Sequence, residues 1–392
     1  MKKSAEPKYA TRQSNFELLR IVAMAMIVMH HFFYWNKFPL YLQPLGKKRL
    51  FIQTFLATEG RVGVDLFFAI SIWFLCKPHR QITLHSTAKR AWILERTLLF
   101  WSILLGVISL VFKLTPIRAS IFIEMFLPLL SYHWWYATIY VLILLLLPML
   151  VKGLSSLTQR QHFALVCIIL FMGPFIGDIP GLYNSIINDD ILEMLCLLIL
   201  VCYIRWYHEQ LSSVWTGFGC LVLGYLVIGL QDLTAYTAFP QTPFNAIFPK
   251  MLNLGILVQA FGWFILFSHL HFHSKIINWT ASHVFAIYLI TEFVPIRDWL
   301  WKSMFDYEPY YRSRIMCALY PIGVVLLVCI VCILLDVVKS VIFKLTVDRN
   351  KGHWFELAWN HASEFLNKRN QAARIQNTKT NQNASVKETS QH

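Results

Sequence analysis

The first long apolar segment of the chain carries two side chains that could do chemistry inside a membrane, Arg20 and His31. Their separation of eleven positions is about three helical turns, so both would lie on one helix face, roughly 16 Å apart along the axis. A charged group within a membrane span is costly and usually marks a pathway or a site. In a simpler alternative, Arg20 reaches the headgroups at one interface, and His30 and His31 lie at the other.

Carboxylates and aromatic residues are expected at the depth of His31, toward the outer side. A histidine beside a carboxylate can remove a proton from a hydroxyl near neutral pH, so we expect Asp65 or Glu292 to orient the imidazole. Trp134, Trp135 and His30 are candidates for binding the substrate, and an ordinary interfacial belt of aromatics is the alternative. The full set at this depth is Asp65, His133, Trp134, Trp135, Thr291 and Glu292.

Basic residues are expected at the depth of Arg20, toward the inner side. They are Lys89, Arg90 and Arg96, and Ser71 of the second span approaches the same level. Arginine suits phosphates because its planar, permanently charged fork makes paired hydrogen bonds. The two layers together predict a site that runs through the membrane, with a phosphorylated donor inside and an acceptor near the outer face.

A metal-dependent mechanism is not expected. The histidines of the run His269, His271 and His273 would share a face only in an extended segment, not on a helix. The eight cysteines lie almost entirely in apolar segments and are interpreted as small buried hydrophobes, not as disulfides or metal ligands. No P-loop, GxSxG or HExxH pattern is present.

Composition indicates an integral membrane protein. The chain has 392 residues, of which 57% are hydrophobic and 14% charged, whereas soluble proteins carry about 25% charged residues. Its apolar residues fall in blocks long enough to cross a bilayer. The predicted fold is all-α, a polytopic transmembrane bundle of about ten spans. These spans are residues 15–35, 62–77, 91–113, 133–151, 162–178, 190–206, 212–230, 250–270, 281–296 and 315–343.

Four regions and an orientation follow from the charge pattern. Basic clusters before the first span and after the second and last spans place both termini in the cytoplasm by the positive-inside rule, although basic residues near Lys47 and Arg312 would then lie outside. The net charge of +14 is attributed to anionic lipids and not to nucleic acid. The regions are a basic segment 1–14, a transmembrane domain 15–345, a juxtamembrane amphipathic helix 346–370 and a disordered cytoplasmic tail 371–392.

Several segments resemble motifs of the acyltransferase family 3 membrane proteins. The strongest resemblance is in the first span, where the family has an arginine, ten intervening residues and a histidine, as do Arg20 and His31. Three features depart from the family pattern: Ile72 stands where a glycine is usual, Thr291 stands where a histidine is common, and Arg90 and Arg96 match the basic pair after the second span only loosely. The similar segments are residues 15–24 with His30 and His31, 63–71, 133–137 with Pro148, and 286–290, and the resemblance covers most of residues 15–345.

The resemblance implies transfer of an acetyl group from acetyl-CoA to a hydroxyl of a sugar or another component of bacterial surface polymers. It implies that His31 is catalytic and that Arg20 is its essential partner. We therefore predict an O-acyltransferase of the cell membrane in which Arg90 and Arg96, with Lys89 and Ser71, bind acetyl-CoA. The other expected partners are membrane lipids and a surface glycan or lipid-linked sugar as the acceptor.

Two other functions use the same residues. A transporter of a lipid-linked sugar or an anionic solute would use the buried charges as a translocation path, although the sequence has no evident inverted halves. A family member that has lost activity is the other alternative, given Ile72 and Thr291. Within the enzyme hypothesis, direct transfer and transfer through an acyl-histidine both remain open.

Overall fold

The computed structural model describes residues 13–78, 81–179, 190–210, 213–239, 252–348 and 352–365. Within these ranges the regular secondary structure is entirely helical, which confirms the predicted all-α class. Most of the predicted basic N-terminal segment and the predicted disordered tail lie outside the described residues.

The bundle is built from long helices joined by short ones. Each predicted span overlaps one of them, and π-helical turns extend the second, seventh and thirteenth helices at residues 53–57, 171–175 and 300–304. In chain order the helices of the described residues are α1 (Ser14–Trp35), α2 (Lys47–Ile52), α3 (Glu59–Leu75), α4 (Leu84–Val111), α5 (Ala119–Phe126), α6 (Trp135–Ser155), α7 (Gln159–Leu170), α8 (Asp190–Tyr207), α9 (Val214–Ala238), α10 (Leu254–Ser268), α11 (Lys275–Ala281), α12 (Val284–Thr291), α13 (Val294–Trp299), α14 (Glu308–Tyr311), α15 (Met316–Leu345) and α16 (353–365).

Five of the described helices are long and apolar enough to cross a membrane: α1, α4, α6, α9 and α15. A sixth span results if the bent pair Lys275–Thr291 and Val294–Met304 counts as one. The chain is therefore a multi-pass membrane protein. The predicted count of about ten spans is not confirmed, because helices such as α3 and α10, with 17 and 15 residues, are short for a full crossing.

Helix α1 lies inside the bundle, against α3, α10, α11, α12 and α15. Its contact with α3 depends on two glycines. A Cβ atom at Gly60 would overlap the Cβ of His30, and one at Gly63 would lie 2.5 Å from the carbonyl oxygen of Ala23. Small residues let helix backbones approach closely in membrane proteins. This contact fixes how far α1 lies from α3, and with it the position of the two histidines.

A sharp bend follows α12. The segments on its two sides meet at 82°. Glu292 ends α12, Phe293 is extended, and Pro295 lies in the first turn of α13. Proline has no N–H to donate, so it disfavours continuation of a helix but is tolerated in a first turn. The bend turns the Glu292 side chain toward α1.

The C-terminal part of the described chain lies along α4. Glu356 of α16 accepts hydrogen bonds from Lys89 Nζ at 2.7 Å and contacts His85 Nε2 at 2.8 Å. Just before α16, Asp348 lies 3.0 Å from Arg96 Nη2. A helix thus occupies most of the segment predicted to be amphipathic, and its location on a membrane surface stays a prediction.

Candidate functional site

The imidazole of His31, the carboxyl group of Glu292 and the guanidinium of Arg297 lie in a row. Nδ1 of His31 is 3.0 Å from Oε1 of Glu292, whose Oε2 is 3.7 Å from Nη1 of Arg297. The Arg297 guanidinium lies over the ring of Trp35, 3.7 Å from its centroid. The three ionisable side chains are at most 16% exposed. Nδ1 of His31 and Oε1 of Glu292 are within ion-pair distance, but neither makes a hydrogen bond of regular geometry among the described residues. A small rotation of either side chain would align them, and a carboxylate hydrogen-bonded to one imidazole nitrogen leaves the other nitrogen for proton transfer.

Arg20 lines a cavity of about 520 Å³, here called the arginine cavity. Lys77, Arg90 and Ser71 line it as well. The guanidinium of Arg20 donates to Oε2 of Glu17 at 3.1 Å. With three cations on its wall, this cavity is suited to an anionic ligand with more than one phosphate.

A second, much smaller space, the histidine cavity, adjoins His31 and has a volume of about 30 Å³. Three residues line both cavities: Phe67, Tyr136 and Phe285. The ring centroids of Phe67 lie 6.3 Å from Phe285 and 6.0 Å from Tyr136. The two polar ends of α1 therefore face one continuous seam of the bundle, and three aromatic rings separate them.

Two of the predicted donor-binding residues lie away from this seam. Lys89 is ion-paired with Glu356 at 2.7 Å, and Arg96 is ion-paired with Asp348 at 3.0 Å. Neither lines the arginine cavity, whereas Arg20, with the predicted Ser71 and Arg90, does. The structure thus brings together part of the predicted set, and the role of Lys89 and Arg96 toward a donor stays a prediction.

Of the two carboxylates expected to orient the imidazole, the structure brings only Glu292 to His31. Asp65 lies instead on a face of α3 that borders a cavity with Leu197 of α8 and Phe264 of α10. It is 1% exposed, and neither carboxylate oxygen has a hydrogen-bond partner among the described residues. The sequence predicted the depth of Asp65 from its position along the span, but it did not show on which face of α3 the side chain lies.

His30 and His31 face different spaces, as neighbours on a helix do. His30 Nδ1 lies 2.5 Å from the carbonyl oxygen of Ala57. Its ring borders a separate cavity of about 360 Å³, with Tyr34 and Arg61 on the wall. His30 therefore lines a different cavity from His31. Its predicted contact with substrate stays a prediction, and such a contact would take place in the cavity of about 360 Å³.

The predicted aromatic pair divides in the same way. Trp135 lines the histidine cavity. Trp134 is 1% exposed and packs against His133 and Phe293, with ring centroids 4.9 and 6.1 Å away. Nδ1 of His133 lies 3.3 Å from Oε2 of Glu124. Trp135 thus shares a cavity with His31, while Trp134 packs at the start of α6, and a contact of either with substrate stays a prediction.

Thr291 and the histidine run that begins at His269 lie apart from His31 in their contacts. The Thr291 hydroxyl is buried and donates to the carbonyl oxygen of Ile287 at 2.9 Å, so it is satisfied within α12. His269 and His271 line a cavity next to Lys77. Among the residues that the structure describes, no group of three or more potential ligands could hold a metal ion.

Sequence reasoning missed Arg297, Trp35 and the three rings of the seam. Arg297 follows the end of the predicted ninth span, and only the bend returns it to Glu292. Phe67 and Tyr136 lie inside segments that resemble family motifs, and Phe285 directly precedes another. Their location in or next to these segments could have marked the three rings as candidates. Aromatic residues in apolar spans are common in the packed core, however, so their residue type alone did not distinguish them.

The fold and the seam define a helical multi-pass membrane protein with two polar sites along its first helix, separated by three aromatic rings. The family model described as "Acyltransferase domain" matches residues 13–337, nearly the whole chain. The chain belongs to this family, acyltransferase family 3, and is a membrane acyltransferase. No curated protein and no solved structure matches it.

Proposed function

We propose that this acyltransferase moves an acetyl group from acetyl-CoA to a hydroxyl of a surface glycan or a lipid-linked sugar. One observation supports the proposal above the others: His31, with Glu292 beside it, and the arginine cavity lie at the two ends of one seam, and both His31 and the arginine cavity border the same three rings. One end has a base for a hydroxyl, and the other has cations for a phosphorylated donor.

The donor enters at the arginine cavity. Its phosphates bind Arg20, Lys77 and Arg90, whose charges offset those of the diphosphate. The uncharged pantetheine arm then extends along α1 past the seam. Arg20 and His31 are roughly 16 Å apart along the helix, which calls for a long, thin donor such as this one. Passage requires the rings of Phe67 and Phe285 to change rotamer.

Transfer takes place at His31. The Nε2 atom of His31 accepts the proton of the acceptor hydroxyl while the hydroxyl oxygen attacks the carbonyl carbon of the thioester. The carbon–sulfur bond breaks, CoA leaves as a thiolate, and the thiolate takes up the proton from the imidazolium. The products are an ester and CoA. Glu292 holds the imidazole through Nδ1 and stabilises the imidazolium while it exists.

The Arg20 end of α1 faces the cytoplasm, where acetyl-CoA is made, and the His31 end faces the outside of the cell membrane. Both termini are then cytoplasmic. The basic clusters of the sequence support this orientation, provided that the short helices complete about ten spans.

The test is incorporation of labelled acetyl into surface glycan by cells that carry His31→Ala or Arg20→Ala. Both variants are expected to lose nearly all labelling. His361→Ala, which removes an exposed imidazole on α16, is the matched control and should label like the wild type. Undiminished labelling in the His31→Ala cells would remove the assigned chemistry.

A further inference from the structure

A second polar cavity adjoins the arginine cavity. It has a volume of about 300 Å³ and is called the side cavity here. Lys77 and Phe74 line both cavities, so the two spaces meet at these residues. The ends of α3, α8 and α10 surround the side cavity. Its ionisable lining residues are Lys77, Arg205, Glu209, His269 and His271.

Arg205 is held in place on the wall of this cavity. Its side chain is 9% exposed, and its guanidinium lies over the ring of Trp73, 4.5 Å from the centroid. Nη1 pairs with Oε1 of Glu209 at 2.5 Å, while the buried Nε has no hydrogen-bond partner among the described residues. Glu209 is 59% exposed, so it can turn into solvent and leave the guanidinium to an incoming anion.

The two histidines are oriented by the backbone. Nδ1 of His269 lies 2.9 Å from the carbonyl oxygen of Ile265, and Nδ1 of His271 lies 2.7 Å from the carbonyl oxygen of His269. A carbonyl accepts, so each Nδ1 carries a proton, and each Nε2 is left for another partner.

A purely structural account is that cations near helix C-termini offset the exposed carbonyl groups. That account explains Lys77 and Arg205, which follow or lie in the last turns of α3 and α8. It does not require a cavity, and it does not explain why the buried guanidinium is held against Trp73 with Nε unsatisfied.

We propose that the side cavity binds the 3′-phosphoadenosine end of CoA, with Arg205 on the 3′-phosphate in place of Glu209. The inference rests on the proposed acetyl-CoA donor. The order of the cavities matches the order of the donor's parts. The thioester lies at the histidine cavity, the pantetheine arm extends along α1 past the seam, the diphosphate lies in the arginine cavity, and the nucleoside end passes Lys77 into the side cavity.

The experiment compares binding of CoA and 3′-dephospho-CoA to the purified full-length protein. Because hydrogen bonds between charged groups are strong, the wild type should bind CoA about tenfold more tightly. Arg205→Gln should reduce this ratio to about two and leave the affinity for 3′-dephospho-CoA within twofold. Glu209→Gln should increase the ratio, because it removes the acid that competes with the phosphate.

Lys152→Gln is the matched control, since it removes an exposed cation of α6 that lines neither cavity. If Arg205→Gln does not fold, His271→Gln at an exposed position should still lower the ratio two- to threefold. A ratio that is near one in the wild type, or unchanged in these variants, overturns the inference while the acetyl-CoA donor stands. If the wild type binds neither CoA nor 3′-dephospho-CoA, both the side-cavity inference and the proposed acetyl-CoA donor are overturned.

Discussion

The carboxylate of Glu292 lies 3.0 Å from the imidazole of His31 because the chain bends by 82° directly after α12. In a straight helix the residues after Thr291 would continue past α1. The bend instead leaves Glu292 at the corner, between His31 and Arg297. The bend therefore places the Glu292 carboxyl group beside the His31 imidazole and the Arg297 guanidinium beside that carboxyl group.

Glu292→Gln should slow acetyl transfer about 100-fold, because an amide cannot stabilise the imidazolium that forms during proton transfer. The affinity for CoA should stay within twofold, since Glu292 does not line the arginine cavity. Steady-state kinetics of the purified enzyme with labelled acetyl-CoA measure both quantities. Asp65→Asn is the comparison, and a larger loss in Asp65→Asn than in Glu292→Gln would contradict the assignment.

Gly60→Ala should destabilise the protein by about 1–3 kcal/mol, because the new Cβ overlaps that of His30 and forces α1 and α3 apart. Thermal unfolding in detergent measures the change. Gly323→Ala in α15 is the matched control, since a Cβ there meets nothing within 4 Å. It should leave the melting temperature unchanged or raise it. Equal melting temperatures for the two variants would refute direct contact of α1 with α3.

Asp336→Ala should destabilise the protein by about 3–5 kcal/mol. Asp336 lies 2.7 Å from both Nδ1 of His283 and Nζ of Lys339, and its removal leaves a buried cation without its partner. Thermal unfolding again provides the measurement. Glu308→Ala removes one acid of an exposed pair with Arg312 and should cost less than about 1 kcal/mol. A similarly small effect for Asp336→Ala would contradict the burial of this network.

The helices and the placement of Arg20 and His31 could be predicted from the sequence. Apolar blocks located every long helix, and α1 is unbroken, so spacing alone placed both residues on one stripe. The number of crossings could not be settled in this way, because α3, α7, α8 and α10 are short or carry charges.

The partners of the buried charges could not be predicted. Residue depth follows from position along a span, but the facing of Asp65 away from His31 depends on how α3 rotates against α1. The pairing of Arg96 with Asp348 joins residues far apart in the chain, which no local pattern encodes. Pro295 was a local signal for the bend, but it does not specify the angle.

In the proposed mechanism, one seam joins a donor-binding end at Arg20 to a reacting end at His31. Parallel measurements of CoA affinity and acetyl turnover in Arg20→Ala and His31→Ala distinguish the roles of the two ends. Arg20→Ala should weaken CoA binding about tenfold or more, whereas His31→Ala should bind CoA within twofold of the wild type and show no turnover. Retained turnover in His31→Ala, or unchanged CoA affinity in Arg20→Ala, would contradict the account.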